Sequence, residues 1–170
     1  MEFVISQICG MLVSVFAILS MQLKNVKHIL VCQLICNVAG AFSYILLGGF
    51  SGCGIYIVAV VQTIVYYFYS KTNKKAPNFM VFVFLVLFLL CSITTYKGKT
   101  DIIPAIASFT CAMALAQSKA SGYRICMLLN GLLWMIYDVS VSAYSMMLSH
   151  IITFASAGIG IIRLDIKKSK

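Results

Sequence analysis

Charge is what this sequence has least of. Charged residues make up 10% of its 170 positions, with only four acidic side chains, where a soluble domain carries about 25%. That excludes an ordinary soluble globular domain. An apolar share of 62% and a mean hydropathy of +1.01 point instead to an integral membrane protein. The seven cysteines include no Cys-x-x-Cys, and no histidine stands at metal-ligand spacing from them. No metal site is therefore indicated, and all seven read as packing residues, since a thiol in an apolar helix behaves as a small hydrophobe. Missing too are a Ser/His pair at nucleophile–base spacing, an acidic metal motif and a glycine-rich phosphate loop. No enzyme chemistry, catalytic residue or cofactor is expected. The net charge of +9 would suit nucleic acid only if the basic residues shared one folded face. They lie in the short gaps between apolar runs, so no nucleic-acid partner is expected.

Those runs approach the ~20 residues that cross a hydrocarbon core. Seven spans are predicted, near residues 1–23, 29–48, 53–70, 78–96, 101–117, 123–141 and 144–163. The first opens without the positive charge and cleavage site of a signal peptide and is expected to be retained. Gln7, Gly10, Ser14 and Ala17 form a small, polar stripe along it, suited to close helix contact. The uncharged Gly48-Gly49-Phe50-Ser51-Gly52 reads as a tight turn. The fourth span is apolar all round, so it should lie at the periphery, with Phe84 and Leu87 facing lipid. Pro104 falls in the first turn of the fifth, where its missing N–H costs little. An all-α integral membrane fold follows.

Its orientation follows from the basic residues. An outside N-terminus puts Lys24, Lys27, Lys71, Lys74, Lys75, Lys119, Arg124, Arg163, Lys167, Lys168 and Lys170 on the inner side, against Lys97 and Lys99 outside. Cytoplasmic loops concentrate Lys and Arg, so the C-terminus should be cytoplasmic. Spans one to three and five to seven share an outline of basic link, polar helix and uncharged turn. The expected organisation is two parallel three-helix repeats, 1–70 and 100–170, joined by a linker of 71–99 that holds the fourth transmembrane helix.

Helical periodicity puts Asn130, Trp134 and Tyr137 on one face of span six and Gln33, Asn37 and Tyr44 on one face of span two. Asn37 and Asn130 are 93 residues apart, as are Tyr44 and Tyr137. Spans two and six should therefore face each other with their asparagines at similar depth. Gln62 in span three and His150 in span seven, beside a Ser149/Thr153/Ser156/Gly160 face, complete the candidate lining. Each has a plainer reading. Asparagine and glutamine hydrogen-bond membrane helices together, and tryptophan and tyrosine anchor at interfaces. Tyr66-Tyr67-Phe68-Tyr69 reads as such a belt. His150 is either a proton-coupling group or bonded within the bundle, and Asp138 is expected to be solvated at the outer end of span six.

Several stretches also carry a resemblance. Ser6-Gln7-Ile8-Cys9-Gly10, Ile102-Ile103-Pro104-Ala105-Ile106, Ala112-Met113-Ala114-Leu115, Arg124-Ile125-Cys126-Met127, Trp134-Met135-Ile136-Tyr137 and Ile161-Ile162-Arg163 stand in that order. With them the chain resembles the YgjV-type family of bacterial inner-membrane proteins over nearly its full length. The resemblance implies a multi-pass inner-membrane protein distantly similar to SWEET-like carriers, and brings no assigned binding residues. SWEET carriers pair an asparagine in each third helix with a residue such as tryptophan in each second. Trp134 matches in type and helix, whereas the first triplet has Ala41 at that place and the third helices carry Gln62 and the Ser149 face.

Two functions remain from different classes. One is a carrier or facilitator for a small polar solute held between the repeats by Gln33, Asn37, Tyr44, Gln62, Asn130, Trp134, Tyr137 and His150. The other is a structural or accessory membrane protein with no transported substrate. The expected partners are the lipid bilayer and, for the carrier, a small polar solute; either is compatible with a homo-oligomer.

Overall fold

A computed structural model describes residues 2–74, 76–96, 98–140 and 144–166. Lys75, Lys97, Lys167, Lys168 and Lys170 of the orientation argument lie outside the described residues, as does the 141–143 link. The chain forms helices α1 (Glu2–Gln22), α2 (Val26–Leu46), α3 (Phe50–Lys71), α4 (Asn78–Thr95), α5 (Ile102–Leu115), α6 (Ala120–Ser140) and α7 (Tyr144–Gly160), and no strand occurs among the described residues. A 3₁₀ turn over Lys99–Asp101 leads into α5, and a π-helical turn over Ile161–Ile166 continues α7.

Local chemistry sets the ends. Asn25 starts α2 by accepting the Lys27 backbone N–H at 3.0 Å, as an N-cap does. Gly48 turns the chain between α2 and α3 at φ +73°, a conformation that favours glycine. The turn is tighter than the glycine-rich run suggests, because Phe50, Ser51 and Gly52 already belong to α3. Pro77 precedes α4 with extended backbone, and Pro104 is the third residue of α5.

Five helices, α1, α2, α3, α4 and the α7 region, are long and apolar enough to cross a membrane. Of the others, α5 has 14 residues and α6 carries Arg124, Asn130 and Asp138 along its length. Exposed Phe3, Ile8, Met11 and Val15 on α1, with Phe82 and Leu90 on α4, give the outside an apolar coat. Soluble monomers avoid patches of that extent, so the coat meets lipid.

Neighbouring helices pack in the order α1, α2, α3, α5, α6, α7, and α7 returns to α1. In this closed ring α2 stands opposite α6. Helix α4 stays outside, against α3 and α5, and buries only Phe84, Phe88 and Ser92. The peripheral placement agrees with its sequence, with one correction. Phe84 does not face lipid: it is buried with its ring 6.0 Å from that of Tyr66, because a three- and four-residue period gives even an all-apolar helix one packed stripe. Leu87 is 41% exposed. Phe84→Leu should therefore cost about 1 kcal/mol and Leu87→Ala under about 0.5 kcal/mol, read by thermal unfolding in detergent. Equal effects would remove the distinction between the two faces.

Arg124 also needs correcting. It is not a free charge before span six, since α6 begins at Ala120 and the side chain is 1% exposed. Its Nε and Nη2 donate to the Met21 and Leu23 carbonyls, and its Nη1 to Asp165 Oδ1, each at 2.7 Å. A guanidinium thus satisfies carbonyls left over at the C-terminal end of α1 and ties α1, α6 and the π-helical turn together.

Candidate functional site

All six ring helices contribute to one small central cavity, and α4 contributes nothing. It encloses about 50 Å³ and is bordered by, among others, Gln33, Asn37, Asn130, Trp134, His150 and Thr153. Five of the eight sequence candidates meet there. Tyr44 and Tyr137 lie just beyond its lining, against Trp134, and Gln62 lies in the α3–α5 contact, where its Nε2 donates to Ala112 O at 3.2 Å.

The polar lining is held from behind. Asn37 Nδ2 donates to Thr63 Oγ1 at 3.0 Å, and the Thr63 hydroxyl donates in turn to Ala59 O. Asn130 Nδ2 is shared by Ala107 O at 2.7 Å and Thr110 Oγ1 at 2.9 Å. Gln33 Nε2 donates to Ser20 Oγ at 3.1 Å. Each amide therefore does fasten neighbouring helices while it borders the cavity, so the two readings of these residues coexist. The small-residue face of α7 divides instead. Ser149 meets Ser14 Oγ at 2.5 Å and donates to Gly10 O, and Ser156 Oγ accepts from Gln22. These two serve the α1–α7 contact, and only Thr153 reaches the cavity.

Beyond the cavity, toward the α2–α3 turn, aromatic rings fill the space between the helices. Tyr44, Tyr56, Trp134 and Tyr137 pack together, with ring centroids 5.5 Å apart for Tyr44–Tyr56 and 5.7 Å for Trp134–Tyr137. Gly40 makes room for this, since a Cβ there would stand 2.5 Å from the Tyr56 ring. Beside these rings sits Asp138. It is not solvated, as its place near the end of α6 suggests, but fully buried. Its Oδ1 accepts from the Tyr44 hydroxyl at 2.7 Å, and its Oδ2 lies 2.6 Å from His150 Nδ1. One carboxylate thus bolts α2 to α6 across the ring and α6 to α7.

The opposite, basic end is open. A vestibule of about 640 Å³ lies between α2, α3 and α5, bordered by Lys24, Lys27, Lys74, Tyr69, Gln117 and others, with buried Leu30, Tyr66 and Leu115 on its wall. Leu30 and Leu115 are one helical turn, about 5.4 Å, from the cavity residues Gln33 and Cys111. Tyr66 is not part of an interface belt: it is 5% exposed. Its hydroxyl and Gln62 Oε1 are buried without a hydrogen-bond partner. Each such oxygen costs about 1–3 kcal/mol.

Tyr56 and Asp138 are the site residues that sequence patterning leaves out. An ionisable group within an apolar helix was the available signal for the second, and nothing in the local sequence marked the first.

The family described as bacterial inner membrane protein Imp-YgjV matches residues 4–168. No curated protein and no solved structure matches the chain. The chain belongs to the Imp-YgjV family of bacterial inner membrane proteins.

Proposed function

We propose that this protein is a carrier or facilitator that moves a small polar solute across the inner membrane by way of the central cavity. One observation carries the reading: six helices ring a small, largely apolar space edged by Gln33, Asn37, Asn130, His150 and Thr153, with the Tyr44–Asp138 bond beyond one end and a wide vestibule toward the other. An accessory protein has no need of that asymmetry. At about 50 Å³ the space suits water, whereas ligand sites run to about 300 Å³ or more. Solute entry must then widen the ring, and the Tyr44–Asp138 bond is the contact that would part.

The packing order fits two parallel three-helix repeats, α1–α3 and α5–α7, joined by α4. Because α2 and α6 stand opposite, Asn37 and Asn130 flank the cavity from both sides. The basic vestibule end is then cytoplasmic and the N-terminus outside. An active alkaline phosphatase fused to the C-terminus, with a dark fluorescent-protein fusion, would reverse that orientation.

Thermal unfolding against sugars, nucleosides and vitamins tests the function. A solute at about 100 times its Kd should stabilise by about 2.7 kcal/mol, and Asn130→Ala should remove that response. The structural reading rests on the asparagine bonds to Thr63, Ala107 and Thr110. It predicts that Asn130→Ala lowers stability and leaves any solute response intact.

A further inference from the structure

We propose that Asp138 and His150 form a proton-binding site, and that the proton it carries is the coupling ion of the transport cycle. The second clause rests on the carrier reading above, and the first does not.

A carboxylate oxygen 2.6 Å from an imidazole nitrogen is near enough to share a proton. Held as imidazolium with carboxylate, or as imidazole with carboxylic acid, the pair has no net charge. Losing that proton leaves a bare carboxylate in a fully buried position, a state that apolar surroundings penalise by several kcal/mol per ion. No Lys or Arg among the described residues lies within 4.0 Å of Asp138 to compensate, and the buried Arg124 is engaged at the basic end. Helix α2 turns Tyr44 toward the pair, and α3 supplies Tyr56. Helix α6 adds Tyr137, while Asp101, at the start of α5, acts on Tyr137. From α1 the described polar side chain nearest that end is Ser6, which is bonded to Ser43. The proton is thus what this pocket provides for its own neutrality.

Two routes reach it. His150 uses Nδ1 on Asp138 and also borders the central cavity, so its ring can exchange a proton with the cavity through the other nitrogen. On the far side, among the described residues, Tyr44 and its neighbouring rings cover Asp138. Parting α2 from α6 breaks the 2.7 Å Tyr44–Asp138 bond and opens the carboxylate to that side. One proton enters there and, as the ring shuts over a neutral pair, is held between Oδ2 and Nδ1. The proton that leaves toward the cavity is the one on the other ring nitrogen, so a bond to hydrogen forms at Nδ1 as one breaks at Nε2, and the imidazole returns to its first tautomer before the next cycle. A bare, charged pair resists closure, which links proton binding to gate position.

The protein carries its own reporter. Trp134 is the single tryptophan, and its ring stacks on His150 with centroids 5.9 Å apart and planes 18° from parallel. An imidazolium quenches an adjacent indole more than neutral imidazole does. Trp134 fluorescence of the full chain in liposomes should therefore show a reversible step with pH as the pair takes up or loses its proton. His150→Gln should abolish the step. Asp138→Asn keeps the shape but removes the negative partner, and should move the step to lower pH. Tyr44→Phe removes a donor to the carboxylate and should move it up. Thermal unfolding confirms that each variant is folded, and the two near-isosteric changes suffice where His150→Gln is not. A flat wild-type profile, or a step unmoved in Asp138→Asn and Tyr44→Phe, overturns the proton site whatever transport assays give. A step that behaves as described, in a protein found to move no solute, upholds the proton site and overturns only the coupling.

Discussion

Replacing Asp138 with alanine should lower the stability of the folded protein by about 3 kcal/mol. The change removes the acceptor of the Tyr44 hydroxyl and the partner of His150 together, and leaves the fully buried Tyr44 hydroxyl without that acceptor. The opposing effect is smaller. Asp138 lies two residues from the end of α6, so in the unfolded, inserted helix it can reach the interface at little cost. Asp138→Asn keeps an acceptor for Tyr44 and should cost about 1 kcal/mol. A double-mutant cycle with Tyr44→Phe isolates the bolt across the ring. Its coupling should be about 1.5 kcal/mol or more, as for a hydrogen bond to a charged group. Additivity within about 0.5 kcal/mol would mean that α2 and α6 are not joined there.

This bolt marks where reading the sequence stops. Asn37 and Asn130 were legible because an amide in an apolar helix must point at a partner, and the equal spacing to Tyr44 and Tyr137 put α2 and α6 in register. Asp138 obeys the same logic, yet the end of a helix is where a carboxylate ordinarily meets water. What buries it is the convergence of Tyr44 and His150 from two other helices, which periodicity within α6 cannot express. The face of α7 shows the same limit. Ser149, Thr153 and Ser156 were correctly grouped, but a helical period identifies a face and not its neighbour. That neighbour is α1 for the two serines and the cavity for Thr153. Tyr66 went astray because a tyrosine near a helix end has two common uses. Only the closeness of α4, through Phe84, selects the buried one.

At the basic end the largest expected loss is Arg124→Ala. Three donors leave at once: those to the Met21 and Leu23 carbonyls and that to Asp165, all at 2.7 Å. Removing one partner of a buried ion pair costs about 3–5 kcal/mol. Asp165 is 23% exposed and regains some water, so the lower figure, about 3 kcal/mol, is expected by thermal unfolding in detergent. Arg124→Lys should recover little of it, since one ammonium cannot reproduce a planar fork aimed at three acceptors. Gly160 offers an independent check. A Cβ there would stand 2.9 Å from Met21 O and 3.1 Å from Arg124 Cδ, so Gly160→Ala should displace the guanidinium and destabilise in the same direction. Combined with Arg124→Ala, it should add much less than it does alone, because the side chain it displaces is already gone. Full additivity would show that Gly160 matters for the α1–α7 approach by itself, and that Arg124 does not hold α1 to α6.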